Sequence, residues 1–96
     1  MRCFVVVSGA VTLMVMSTHK SATHPDLAKR LKANDIKQMM LMEVSVDLAR
    51  ERYGEHFEDL SRKMGKDEFR VLDFNGGSVF RRFSFREMGE PIKVEF

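Results

Sequence analysis

Three histidines and the carboxylates near them are the residues from which a reactive site could be built. His19 and His24 stand five apart in the polar stretch THKSATHP, and a carboxylate brought to them by the fold would complete a metal site. His56 follows Glu55 and lies five beyond Glu51, so these three could form a general acid–base cluster. Neither grouping has a spacing that demands such chemistry. HExxH and paired CxxC are absent, as are GxSxG, GxGxxG and the phosphate-loop pattern. The one cysteine, Cys3, is apolar-flanked in an expected strand, with no cation or helix N-terminus expected to activate a thiolate, so it reads as buried and inert. The plainer expectation is that Glu51, Glu55, Glu58 and Asp59 alternate with Arg50, Arg52 and Arg62 on a solvated helix face. His24 then caps a helix. No metal and no cofactor is expected. Were the chain an enzyme, His24, Glu43, Tyr53 and His56 would carry it, with Arg82, in a pocket between sheet and helices.

A second chemistry is suggested by LDFNGGSVFRRFSF, Leu72 to Phe85. Exposed rings with arginines beside them suit single-stranded RNA or DNA, and Phe80, Arg81 and Arg82, with Arg70, could supply both. The aromatic signature of an RNA-recognition sheet is missing, and nearby acids dilute the positive field. The pattern predicts a β-hairpin instead. Glu68–Phe74 and Ser78–Arg86 are its strands, and Asn75-Gly76 or Gly76-Gly77 is its turn. One face would carry Leu72, Phe74, Val79, Phe83 and Phe85 into the core, with Arg70 and Arg81 at its rim. Phe80 and Arg82 would lie on the other. The binding candidates are therefore Phe80, Arg81 and Arg82.

The elements that must position these residues can be read along the chain. Arg2–Ser8 and Ala10–Thr18 are rich in β-branched residues and joined at Ser8-Gly9, which predicts paired strands. Thr23 and Asp26 have capping-box spacing, Pro25 suits a first helical turn, and Asn34-Asp35 ends that helix. Ile36–Val44 is an apolar run of strand length. Ser45 can cap the next helix, in which Val46, Ala49, Tyr53, Phe57, Leu60 and Met64 recur at spacings of three and four. Gly54 interrupts that period and Gly65 is placed to end it. Ile92 to Phe96 alternates as a last strand. The fold class expected is α+β: one domain over residues 1–96, in the order β-β-α-β-α-β-β-β. Its sheet would be mostly antiparallel, ferredoxin-like or a related split sheet, with two helices on one face.

Composition bounds the rest. With 44% hydrophobic and 31% charged residues in 96, one packed domain is expected rather than disorder. A formal charge of +2 is too small to imply a polyanionic partner. A single cysteine excludes an internal disulfide and points to a reducing, cytoplasmic setting. CFVVVSGAVTLMVM, Cys3 to Met16, has the composition of a signal peptide after Arg2, which would make the protein secreted or periplasmic. The Ser8-Gly9 turn within it favours two buried strands. Met39, Met40 and Met42 suit either an irregular core or an adaptable binding surface. Adjacent apolar pairs such as Val5/Val6, Met39/Met40 and Val79/Phe80 point to opposite faces of their strands. Two helices cannot cover both. The expectation is a non-catalytic protein-interaction or regulatory domain that self-associates as a homodimer, the second copy covering a helix-free face, or binds another protein. The alternatives are a small dimeric ferredoxin-like enzyme with a sheet–helix pocket, and RNA or single-stranded DNA binding through the C-terminal hairpin.

Overall fold

The computed structural model describes residues 1–33 and 36–95. The expected helix end at Asn34-Asp35 and the last strand's Phe96 lie outside them. Strand β1 (Arg2–Ser8) and strand β2 (Val11–Ser17) form the expected hairpin, but its turn lies one residue beyond the expected Ser8-Gly9, because Ser8 is still paired in the ladder. Ser8 pairs with Val11, so the loop is Gly9-Ala10. Gly9 takes φ of +59° while Ala10 does not turn left-handed, a pattern in which glycine comes first in the two-residue loop. The segment whose composition resembles a signal peptide is thus the centre of the sheet. Helix α1 (Pro25–Lys32) and strand β3 (Gln38–Val44) follow. Helix α2 (Val46–Tyr53) is capped by Ser45, whose Oγ accepts from the Asp47 and Leu48 amides. Helix α3 (Glu55–Lys63) and strand β4 (Phe69–Asp73) come next. Helix α4 (Gly76–Arg82), a 3₁₀ turn (Phe85–Glu87) and strand β5 (Ile92–Glu95) complete the chain.

The five strands lie in the order β4-β2-β1-β3-β5, and every neighbouring pair is antiparallel. The α+β class is the one expected, but the arrangement differs from a split β-α-β sheet, which needs a parallel neighbour. Strand alternation divides the core. Cys3, Val5, Met14, Met16, Met42 and Val44 face Ala49 of α2, Phe57 of α3 and Val79 and Phe83 of α4. Phe4, Val6, Leu13, Val15, Met39 and Leu41 face Leu27 and Leu31 of α1. Helices therefore cover both faces, not one. Much of the apolar surface that suggested a second subunit over a helix-free face is covered within the chain, although Met40 and Phe80 stay exposed.

Three further expectations are corrected. The long helical period from Val46 breaks at Gly54, where φ +56° and ψ −128° end α2 and turn the chain into α3. Gly65 does not adopt a left-handed conformation; Asp67 does, with φ of 54°. The C-terminal hairpin is not formed. Its first strand is β4, but Asn75 caps a helix, its Oδ1 accepting from the Ser78 amide at 3.3 Å. Val79 and Phe83, four apart, are buried on one side of α4.

Candidate functional site

The side chains proposed for catalysis are each engaged by a structural partner. His24 is the N-cap of α1: its Nδ1 accepts from the Asp26 amide at 3.0 Å, and its Nε2 donates to the Asp67 carbonyl at 2.6 Å. The capping box expected from Thr23 is replaced by this ring. His19 lies beside His24, with ring centroids 5.0 Å apart, and its Nδ1 accepts from the Ser21 amide at 3.2 Å. Among the described residues no group of three or more His, Cys, Asp or Glu is placed to hold a metal ion. Glu43 on β3 receives both Nε and Nη2 of Arg2 on β1 at 2.9 Å, and this pairing holds its carboxyl below the usual range.

Tyr53 and His56 serve α2 and α3. The Tyr53 hydroxyl donates to Asp73 Oδ2 at 3.0 Å; burial first, then that carboxylate, pushes the phenol well above its ordinary range. His56 Nε2 donates to the Leu72 carbonyl at 2.9 Å. Of the residues named for catalysis, Tyr53 and Arg82 are brought together, the guanidinium 4.6 Å from the ring centroid. A cavity of about 460 Å³ lies between α1 and the sheet, lined by Leu13, Leu27, Leu31, Ile36, Val71 and Phe74 among others. None of His24, Glu43, Tyr53, His56 or Arg82 lines it.

The binding candidates sit on a surface the hairpin expectation did not describe. Arg52 of α2 anchors it, donating to Glu87 Oε2 at 2.6 Å and to the Arg82 carbonyl. Arg82 returns the contact, its Nη1 donating to the Arg52 carbonyl at 2.6 Å. Glu87 also accepts from the Ser84 amide at 3.0 Å. Arg52, then that amide, holds the Glu87 carboxyl down at about 2. These bonds fix α4 and the 3₁₀ turn against α2, with Val79 and Phe83 inward. Phe80 and Phe85 are left outward, 42% and 77% exposed, with ring centroids 6.0 Å apart. Arg81 and Arg86 flank them, exposed, with no ion pair or hydrogen bond among the described residues. Arg82, by contrast, is spent on Arg52 and Tyr53, and Arg70 pairs with Glu68 at 3.3 Å.

Phe85 and Arg86 were not among the sequence candidates, because a strand would have turned Phe85 into the core. Ser84-x-x-Glu87 has capping-box spacing and could have shown that the extended pattern breaks there. No protein family, curated protein or solved structure matches the chain. Its geometry alone therefore carries the functional argument. No helix among the described residues is long and apolar enough to cross a membrane.

Proposed function

We propose that the chain is a protein-interaction domain, and that the outer side of α4 and the 3₁₀ turn is its binding surface. One observation carries this reading: the adjacent rings of Phe80 and Phe85 stand in solvent, flanked by the unpaired cations Arg81 and Arg86. Large exposed rings with arginine beside them are the residue types that dominate protein interfaces. The fitting partner is a segment that offers apolar side chains to the rings and carboxylates to the arginines. A two-fold pairing of this patch with itself would set arginine against arginine, so the surface favours a different chain. We place the protein in the cytoplasm. Cys3 supports that: it is a buried free thiol, in a chain without a second cysteine.

The test is a titration followed by NMR, using two defined probes. One is a peptide of about fifteen residues alternating glutamate and leucine; the other is an oligouridylate of about twelve nucleotides. The expected result is that the peptide shifts the resonances of Phe80, Arg81, Phe85 and Arg86, and that Phe85→Ala with Arg81→Glu abolishes the effect. Peptide binding elsewhere, or none, overturns the proposal. Oligonucleotide binding at this patch that weakens steeply with salt would transfer the surface to nucleic acid.

A further inference from the structure

The two edges of the sheet are built differently. Along β4 the ladder to β2 is interrupted by a register shift between Met14 and Val15, and His56 of α3 occupies the Leu72 carbonyl. A bulge and a covering side chain are ways of keeping an edge from pairing. Strand β5 carries neither among the described residues. It pairs regularly with β3, from Leu41↔Ile92 to Gln38↔Glu95, and Ile92, Lys93 and Glu95 are exposed.

The outward backbone groups of β5 can be worked out from β3. The Glu43 carbonyl faces the β5 side, accepting from the Gly89 amide at 2.7 Å. The Gln38 carbonyl faces β1, accepting from Ser8 Oγ at 2.7 Å. Alternation along the strand then turns Met39 and Leu41 toward β5, and their partners Val94 and Ile92 toward β3. Lys93 and Glu95 are left with their N–H and C=O groups aimed away from the sheet.

We propose that this edge pairs antiparallel with the same edge of a second copy, about a two-fold axis through Val94, so that the two sheets become one. The charges select that register. Lys93 of each copy stands opposite Glu95 of the other, and these are the residues whose backbone groups point outward to exchange hydrogen bonds. Within one chain Lys93 Nζ and Glu95 Oε1 are already 3.3 Å apart, so both side chains lie on one face and the exchange across the axis keeps the charges matched. Val94 meets its own copy at the axis on the other face, beside the exposed Ile92. An axis through Lys93 would instead oppose like charges and set Glu95 against Pro91, which has no N–H to give. A shift of one residue would oppose side chains from different faces.

The shared ladder is short, so the dimer is weak, with Kd on the order of 100 µM. Sedimentation equilibrium from about 10 µM to 1 mM reads it. Lys93→Glu and Glu95→Lys each oppose like charges twice and should weaken the dimer about tenfold or more. An equimolar mixture of the two variants should recover a heterodimer, and the K93E/E95K double variant a homodimer. Far-UV circular dichroism confirms that each variant remains folded. The dimer is independent of the α4 surface, so Phe85→Ala should leave it intact. Four results overturn the proposal: a wild-type monomer throughout, single reversals without effect, no recovery on mixing or reversing both, or loss of the dimer in Phe85→Ala.

Discussion

Gly76 and Gly77 are neighbours at the start of α4, and replacing each by alanine should change stability by different amounts. A methyl group on Gly76 would lie 2.9 Å from Thr12 Cβ and 3.3 Å from its Oγ1. The Thr12 Cβ is fixed by the β2 backbone, so helix and strand would have to separate. Overpacking of this kind costs about 1–3 kcal/mol. A methyl on Gly77 would meet the Asn75 Oδ1 at 3.3 Å and nothing else close. Neither glycine has positive φ, so alanine fits the backbone at both. Such a replacement stabilises by about 0.4–1 kcal/mol when nothing clashes. At Gly77 that gain is offset by crowding of the Asn75 Oδ1, which caps α4 by accepting from the Ser78 amide, so Gly77→Ala should stay within about 0.5 kcal/mol of the wild type, while Gly76→Ala should lose about 1–2 kcal/mol. The assay is urea unfolding of both variants beside the wild type. With a slope of about 1 kcal/mol/M, the Gly76→Ala midpoint should stand roughly 1–2 M below that of Gly77→Ala. A hairpin turn with left-handed glycines gives a different answer, with Gly77→Ala destabilised as well. A loss in Gly77→Ala as large as that in Gly76→Ala, or stabilisation by Gly76→Ala, would refute the packing of α4 on Thr12.

Two more outcomes follow from the described contacts. The Glu87 carboxyl is held at about 2 by Arg52 and the Ser84 amide, so its stabilising effect is full above about pH 4.5 and lost as pH falls through about 2. The wild type should melt above Glu87→Gln at pH 6, with the gap closing across that window; a constant gap contradicts the pair. Burial pushes the Cys3 thiol up to about 11, so an alkylating reagent at pH 8 should label it only as the protein unfolds. Rapid labelling in the native state would show that β1 opens.

The parts legible in the sequence are those whose local signals agree. The strands β1 and β2, the β3 run and the Ser45 cap each have one consistent local pattern, and each forms, with shifts of one or two residues at the strand ends. The C-terminal stretch does not. Asn-Gly-Gly is hairpin chemistry, yet asparagine is equally an N-cap. Val79 and Phe83 fit a helical spacing of four, while Val79, Arg81, Phe83 and Phe85 fit alternation. Seven residues are too few to separate the two periods. What separates them is distant in sequence: the close approach of Gly76 to Thr12, and Arg52 held by Glu87. The apolar residues on both faces of the strands were legible too, but their cover was not. Among the described residues four short helices are divided between the faces and cover much of what two helices on one face would have left bare. The candidate site was legible as residue types. Phe80 and Arg81 are on the exposed surface, whereas Arg82 is occupied, and Phe85 appears there only because the strand became a helix and a turn.

The strand order has a consequence for how the sheet is assembled and opened. The β1–β2 hairpin lies at the middle, β3 and β4 lie on its two sides, and β5 lies beyond β3. No strand is inserted between two that precede it in the chain. The sheet can grow outward by accretion, each addition resting on a ladder already made, and can shed its margins without disturbing the centre. Backbone amides should then form nested shells of exchange lifetime. Those of β1 would exchange only with global unfolding, and those of β5 through a small opening that leaves the remaining ladders closed.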